Sequence, residues 1–152
     1  MAFKERAKPY RLMVMDSLMR RMKLPREECN KYASWVKGYE GELQFDKLTA
    51  KLQCECIVLN DLFLQVNGKK FQIDSVVITS KGVYVYEVKN YSGVYYYENE
   101  KMYHGRTRKE IYDPLHQISH ANSLLRQLID KMGFNLPVKS LIIFVKPDFT
   151  LY

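Results

Sequence analysis

The chain is expected to fold as an α/β domain, a mixed β-sheet flanked by helices. Two observations predict this. Between Glu55 and His104, β-branched and aromatic runs are separated by short turn signals, which reads as an antiparallel meander. Apolar residues at helical spacing lie before and after that block, and a continuous apolar run, Val138 to Val145, follows the last of them. Such a run suits a central strand covered on both faces, often a parallel one. At 152 residues the chain is read as one body able to bury a real core, residues 25–152, preceded by an amphipathic helical extension, residues 1–24.

The elements follow in order. The first helix runs from about Pro9 to Met22, with Leu12, Met15, Leu18, Met19 and Met22 on one stripe and Arg20, Arg21 and Lys23 at its negative dipole end. The stripe is read as core first, with a partner or homo-oligomer contact or a membrane surface as the alternatives. Leu24-Pro25 breaks the chain, and Pro25 suits a helix start. The second helix is expected to be interrupted or bent near Gly38 and Gly41. Gly41, Phe45, Leu48 and Leu52 trace its apolar stripe, Glu42 borders it, and Glu40 faces solvent.

The first strand is read as two pieces, Glu55–Leu59 and Leu62–Val66, parted by Asn60-Asp61. Asn67-Gly68 marks a tight turn. Phe71–Thr79 and Val83–Asn90 form a hairpin, and Val94–Tyr97 pairs with Met102–His104 around Glu98-Asn99-Glu100. Asp113 as N-cap, Pro114 at the first position and Gly133 as the stop define a helix. Its apolar face is Leu115, Ile118, Leu125, Leu128, Ile129 and Met132, with Gln117, His120 and Leu124 on a neighbouring stripe. A right-handed crossover then leads into Val138–Val145.

Two carboxylates and an amine interrupt the apolar hairpin: Asp74, Glu87 and Lys89. Such groups are costly inside strands unless paired or liganding. With a Lys81-Gly82 turn, Ser80 pairs with Val83, and Asp74 lies opposite Lys89 and diagonal to Glu87. All three then share one face, because side chains alternate with period two. A three-residue loop would move Asp74 to the other face, so the reading requires an even loop. Carboxylate oxygens suit a hard cation, and a nearby ammonium can position a water or a phosphate. The alternative is an Asp–Lys ion pair on a half-exposed sheet.

Asp, a hairpin and Glu-x-Lys resemble the core motif of the PD-(D/E)xK nuclease superfamily. Gly38-Tyr39-Glu40-Gly41-Glu42, Gln72-Ile73-Asp74, Gly82-Val83, Glu87-Val88-Lys89-Asn90 with Gly93, and Asp113-Pro114-Leu115-His116-Gln117 resemble, in that order, the nuclease-related domain (NERD) family. The likeness covers roughly Gly38 to Val145. Ile73 rather than Pro precedes the Asp, as is usual in the subfamily. The resemblance implies a restriction-endonuclease-like core and a metal-dependent nuclease hydrolysing phosphodiester bonds, with DNA placed ahead of RNA. It implies Mg²⁺ or Mn²⁺ held by Asp74, Glu87, the Val88 carbonyl and Glu42. Lys89 would touch the attacking water or the phosphate, and Gln117 would orient Lys89 or a phosphate. Gln72 and Asn90, in the same motifs, are read as substrate contacts. After Val145 the family normally continues with another strand or helix, so the chain is read as a minimal domain or a piece of one. The rival is a catalytically silent binding or interaction module on the same fold.

The remaining composition fits a polyanion partner without requiring one. Lys and Arg total 24 against 17 acids, a net charge of +7. Seven tyrosines crowd Tyr84–Tyr103, and Arg106, Arg108 and Lys109 follow them as a candidate substrate loop. Tyr84 and Tyr86 are read as packing opposite the acidic face. His116 and His120 are four apart but lack a third zinc ligand. Cys29, Cys54 and Cys56 show no C-x-x-C spacing and are read as reduced, half-buried thiols in a cytoplasmic chain, Cys54 and Cys56 on one face of a strand. No apolar stretch is long enough for stable membrane insertion.

Overall fold

A computed structural model describes residues 2–152. Among these residues the order is α1 (Tyr10–Arg21), α2 (Arg26–Thr49), β1 (Ile57–Val66), β2 (Lys69–Thr79), β3 (Gly82–Lys89), β4 (Val94–Glu98), β5 (Lys101–His104), β6 (Glu110–Ile111), α3 (Pro114–Lys131), β7 (Val138–Phe144) and β8 (Thr150–Leu151). The mixed α/β class is as expected, but the strands form two sheets, ordered β1-β2-β3-β7 and β6-β5-β4-β8. No helix among the described residues is long and apolar enough to cross a membrane.

The first sheet lies between two helices. Val83 and Val85 of β3 pack with Ile118, Ala121, Leu124 and Leu125 of α3 in the main core. Tyr86 and Val88 point the other way and pack with Phe45 of α2, the Phe45 and Tyr86 rings 5.0 Å apart. Alternation along β3 therefore sends Glu87 and Lys89 to the face of Val83 and Val85, opposite Tyr86.

Several expectations need correction. β7 is parallel to β3, as expected, but it is an edge strand, not a central one. β2 already occupies one side of β3, and β7 takes the other on returning through α3, so among the described residues no strand pairs its outer side. α2 is continuous through Gly38 and Gly41. Gly41 is needed for close approach: a Cβ there would lie 2.6 Å from Asn90 Cβ, at the end of β3. Its stripe is only half packed, with Gly41 and Phe45 buried but Leu48 and Leu52 exposed.

β1 is one strand, although Asp61 adopts a positive φ of 50° within it. Cys54 and Cys56 precede that strand and are not part of it. On α1, Leu12 and Met15 are buried while Met19 and Met22 are exposed. On α3, Leu124 belongs to the buried face, whereas Leu115 and Met132 are exposed. Ile118, Ala121, Leu124 and Leu125 form the stripe that meets the sheet, and Leu115 and Met132 sit at the helix ends beyond it.

The hairpin loop is even but shifted. Thr79 pairs with Gly82 and Ile78 with Val83, so the two-residue turn is Ser80-Lys81. The Thr79 hydroxyl secures it, accepting from the Lys81 N–H at 3.1 Å and donating to the Gly82 carbonyl at 3.3 Å. Gly82 serves β7 more than the turn. Its φ is +146°, and a Cβ there would lie 2.6 Å from the Pro137 carbonyl oxygen. The ladder ends at Ser75↔Tyr86, and the same offset carried outward sets Asp74 against Glu87 instead of Lys89.

Candidate active site

A polar cleft of about 430 Å³ opens at the C-terminal end of β3, beside the middle of β2. Gln72 and Asp74 reach it from β2; Glu87, Val88, Lys89 and Asn90 reach it from β3 and its continuation. Glu42, Lys37 and Ser34 line it from α2, Arg11 from α1 and Gln117 from α3, with Tyr91 and Tyr95 on a further wall. Asp74, Glu87 and Lys89, which the even loop was required to bring to one face, all line this cleft. Arg106, Arg108 and Lys109 do not. Arg108 reaches Glu98 at 3.2 Å and lies over the Tyr96 ring, 4.8 Å from its centre.

Each central side chain is held. Where the β2–β3 ladder ends, the Asp74 carboxylate takes over as acceptor: the Val88 N–H donates to Asp74 Oδ2 at 2.8 Å. Lys89 Nζ donates to Glu87 Oε1 at 2.7 Å and to Gln117 Oε1 at 3.0 Å, so α3 orients the amine through Gln117. The ion pair of this hairpin is thus Lys89–Glu87, two residues apart on one strand, and not Asp74–Lys89. Asn90 Nδ2 donates to the Lys37 carbonyl at 2.6 Å. Among the described residues the buried Asn90 Oδ1 has no hydrogen-bond partner.

The cleft lining carries three carboxylates, Glu42, Asp74 and Glu87, beside three cations, Arg11, Lys37 and Lys89, and burial shifts all three acids. Burial and the charge of Asp74 push Glu87 up to about 7, against the opposing pull of Lys89. Burial, then Asp74, push Glu42 up to about 7 as well, with Arg6 opposing. Burial raises Asp74, although the Val88 N–H, Lys89 and Arg6 favour its anion. Carboxylates shifted in this way by burial and by each other accept a proton or a metal cation readily.

The resemblance to a metal-dependent nuclease family implies a divalent cation, and the donors present fit one in part. No three acidic, His or Cys side chains among the described residues are gathered closely enough to cage an ion by themselves. Mg²⁺ needs less, since it is commonly held by one or two carboxylates with waters and substrate phosphate completing the shell. Asp74 and Glu87 offer two carboxylates in one cleft, and Asn90, also in its lining, keeps a buried Oδ1 without a hydrogen-bond partner among the described residues. All of these donors are oxygens, which suit Mg²⁺ or Mn²⁺ better than softer metals. Glu42 is engaged elsewhere, with Oε2 at 2.8 Å from Arg6 Nη1. His116 is exposed and lies 4.0 Å from Asp113 Oδ2, outside the cleft lining.

The sequence pattern of the nuclease-related domain (NERD) matches residues 37–145. The chain belongs to that family. No curated protein and no solved structure matches it. The NERD span carries Asp74, Glu87, Lys89 and Gln117, but it begins after three residues that shape the cleft: Arg6, Arg11 and Ser34. These, with Lys37, Tyr91 and Tyr95, were not singled out as site residues from the sequence. Arg11 follows a Pro-Tyr helix start without any motif around it. Tyr91 and Tyr95 were hidden among neighbouring tyrosines, and only the stacking of their rings, 5.3 Å apart, sets them off.

Proposed function

We propose that this NERD domain is a divalent-metal-dependent nuclease hydrolysing phosphodiester bonds, with DNA as the first substrate to test. The reading is supported above all by one observation: Asp74, Glu87 and Lys89 share a single cleft in a chain of a nuclease-related family. Bound there, Mg²⁺ or Mn²⁺ would neutralise charge building on the phosphate and make a water a better nucleophile.

Asp74 is fixed through Oδ2 by the Val88 N–H, which leaves Oδ1 free to ligate. Glu87 offers the second carboxylate and the Val88 carbonyl a further oxygen. Glu42, tied by one oxygen to Arg6, has its other oxygen for an outer contact through water. Lys89, steered by Gln117, would donate to the attacking water or a phosphate oxygen. Gln72, Asn90, Lys37 and Arg11 line the remaining walls as phosphate contacts. Arg106, Arg108 and Lys109 would meet only a substrate that extends past the cleft. Three free cysteines suit a reducing compartment, and we place the domain in the cytoplasm.

The second reading, a silent nucleic-acid-binding or interaction module, draws on the engagement of Glu42 by Arg6 and the lack of a three-acid cluster among the described residues. Incubation of plasmid with Mn²⁺ and the wild type, Asp74→Ala or Lys89→Ala separates them. The nuclease reading predicts nicking by the wild type, reduced roughly 10²-fold or more in each variant. Plasmid binding that persists in all three proteins without cleavage would establish the silent module instead.

A further inference from the structure

We propose that Arg6, in the segment ahead of α1, is a positioning residue that locks the acidic cleft into its metal-binding geometry. The inference rests on the metal-dependent reading of the cleft. Arg6 lies outside the residues that the family pattern matches, and it does not line the cleft.

The Arg6 side chain is 1% exposed and spends its donors on two elements. On α2, Nε donates to Asp46 Oδ2 at 2.9 Å and Nη2 to Asp46 Oδ1 at 3.1 Å, a two-pronged contact, while Nη1 donates to Glu42 Oε2 at 2.8 Å. On β2, Nη2 donates to the Asp74 carbonyl at 2.8 Å and to Ser75 Oγ at 3.1 Å. The planar guanidinium therefore bridges the helix that carries Glu42 and the strand that carries Asp74, at Asp74 itself. A lysine, a single point donor, cannot reproduce that fork.

The segment bearing Arg6 is anchored for the task. The Phe3 and Lys4 N–H groups donate to the Val58 carbonyl at 2.8 and 3.3 Å, and the Asn60 N–H donates to the Lys4 carbonyl at 3.0 Å. Lys4 Nζ donates to the Asn60 and Asp61 carbonyls at 2.6 and 2.7 Å. Ser75 Oγ in turn donates to Asn60 Oδ1 at 2.8 Å, which closes the network between β1 and β2. Burying a guanidinium is costly without partner anions, and here it meets two carboxylates, Asp46 and Glu42, of which Glu42 lines the cleft. Groups that orient metal ligands from behind typically change metal affinity 10–100-fold when removed.

Full-length wild type, Arg6→Gln, Arg6→Lys and Asp46→Asn should be titrated with Mn²⁺ by calorimetry, each well below its metal-free melting temperature, and assayed for plasmid cleavage. Arg6→Gln is expected to weaken Mn²⁺ binding about 10-fold or more and to lower kcat with little change in KM for DNA. Arg6→Lys should recover part of the loss, and Asp46→Asn should show a smaller loss in the same direction. A folded Arg6→Gln that binds Mn²⁺ as tightly as the wild type overturns the proposal; if that variant does not fold, wild-type affinity in Asp46→Asn does so. A wild type that binds Mn²⁺, loses affinity on Arg6→Gln and yet cleaves nothing would sink the nuclease reading and leave the role of Arg6 standing. A wild type that binds no Mn²⁺ overturns both.

Discussion

Glu87 and Glu42 contribute a pH dependence of known sign. Both are pushed up to about 7 in the folded, metal-free state, from an ordinary value of 4.5. Between those values the folded chain holds protons that the unfolded chain has released. Their stabilising contribution is therefore complete below about pH 4.5 and is lost as pH rises through about 7. Metal binding needs the deprotonated carboxylates and so has the opposite dependence. Thermal melting at pH 6 and pH 8, with and without Mn²⁺, checks both signs. The metal-free melting point of the wild type should fall more between pH 6 and 8 than that of Glu87→Gln, and the rise caused by Mn²⁺ should be larger at pH 8. An equal metal effect at both pH values would contradict this assignment. Gly41 makes a second prediction. A Cβ 2.6 Å from Asn90 Cβ must displace either α2 or the end of β3, so Gly41→Ala should cost about 1–3 kcal/mol by urea unfolding. An unchanged midpoint would show that the two elements separate freely.

The helix α3 carries two separable contributions. At its start, Asp113 Oδ1 accepts from the Leu115 N–H at 2.8 Å, and Tyr97 donates to Asp113 Oδ2 at 3.2 Å. Asp113→Ala should therefore cost about 0.5–2 kcal/mol, by loss of the cap. Along its length, Leu124 is 3% exposed and Leu115 50% exposed. Leu124→Ala should cost roughly 2–5 kcal/mol, and Leu115→Ala within about 0.5 kcal/mol; similar costs in chemical denaturation would mean that α3 meets the sheet on another face. The helix was legible because its cap, proline and terminal glycine are local signals. Its buried face was less so, since periodicity admits neighbouring stripes and only the sheet selects among them. The hairpin teaches the same lesson. The parity of its loop was readable, and parity alone brings Asp74, Glu87 and Lys89 to one face. The register differed by two residues because Gly82 was taken as a turn residue, whereas the close approach of Pro137 explains it.

Across the molecule, what the sequence concealed was mostly assembled from distant or short pieces. Arg6 meets partners 36 to 69 positions away, and a lone arginine in an irregular segment has no periodicity to reveal it. The second sheet closes through β6 and β8, two residues each, too short to carry an alternating pattern. The edge placement of β7 depends on which side of β3 is already taken. By contrast, the order of the motifs from Gly38 to Gln117 pointed to the family because each motif is contiguous. The architecture joins these parts in one place: α1, α2, α3, β2 and β3 each contribute at least one side chain to the cleft, and the N-terminal segment braces it from behind. The most direct measurement is anomalous diffraction from crystals of the wild type soaked in Mn²⁺. One peak is expected in the cleft, within about 2.0–2.3 Å of a carboxylate oxygen from both Asp74 and Glu87, and absent from Asp74→Ala crystals. A cleft without density under saturating Mn²⁺, or a peak held by neither carboxylate, would contradict the metal-dependent account.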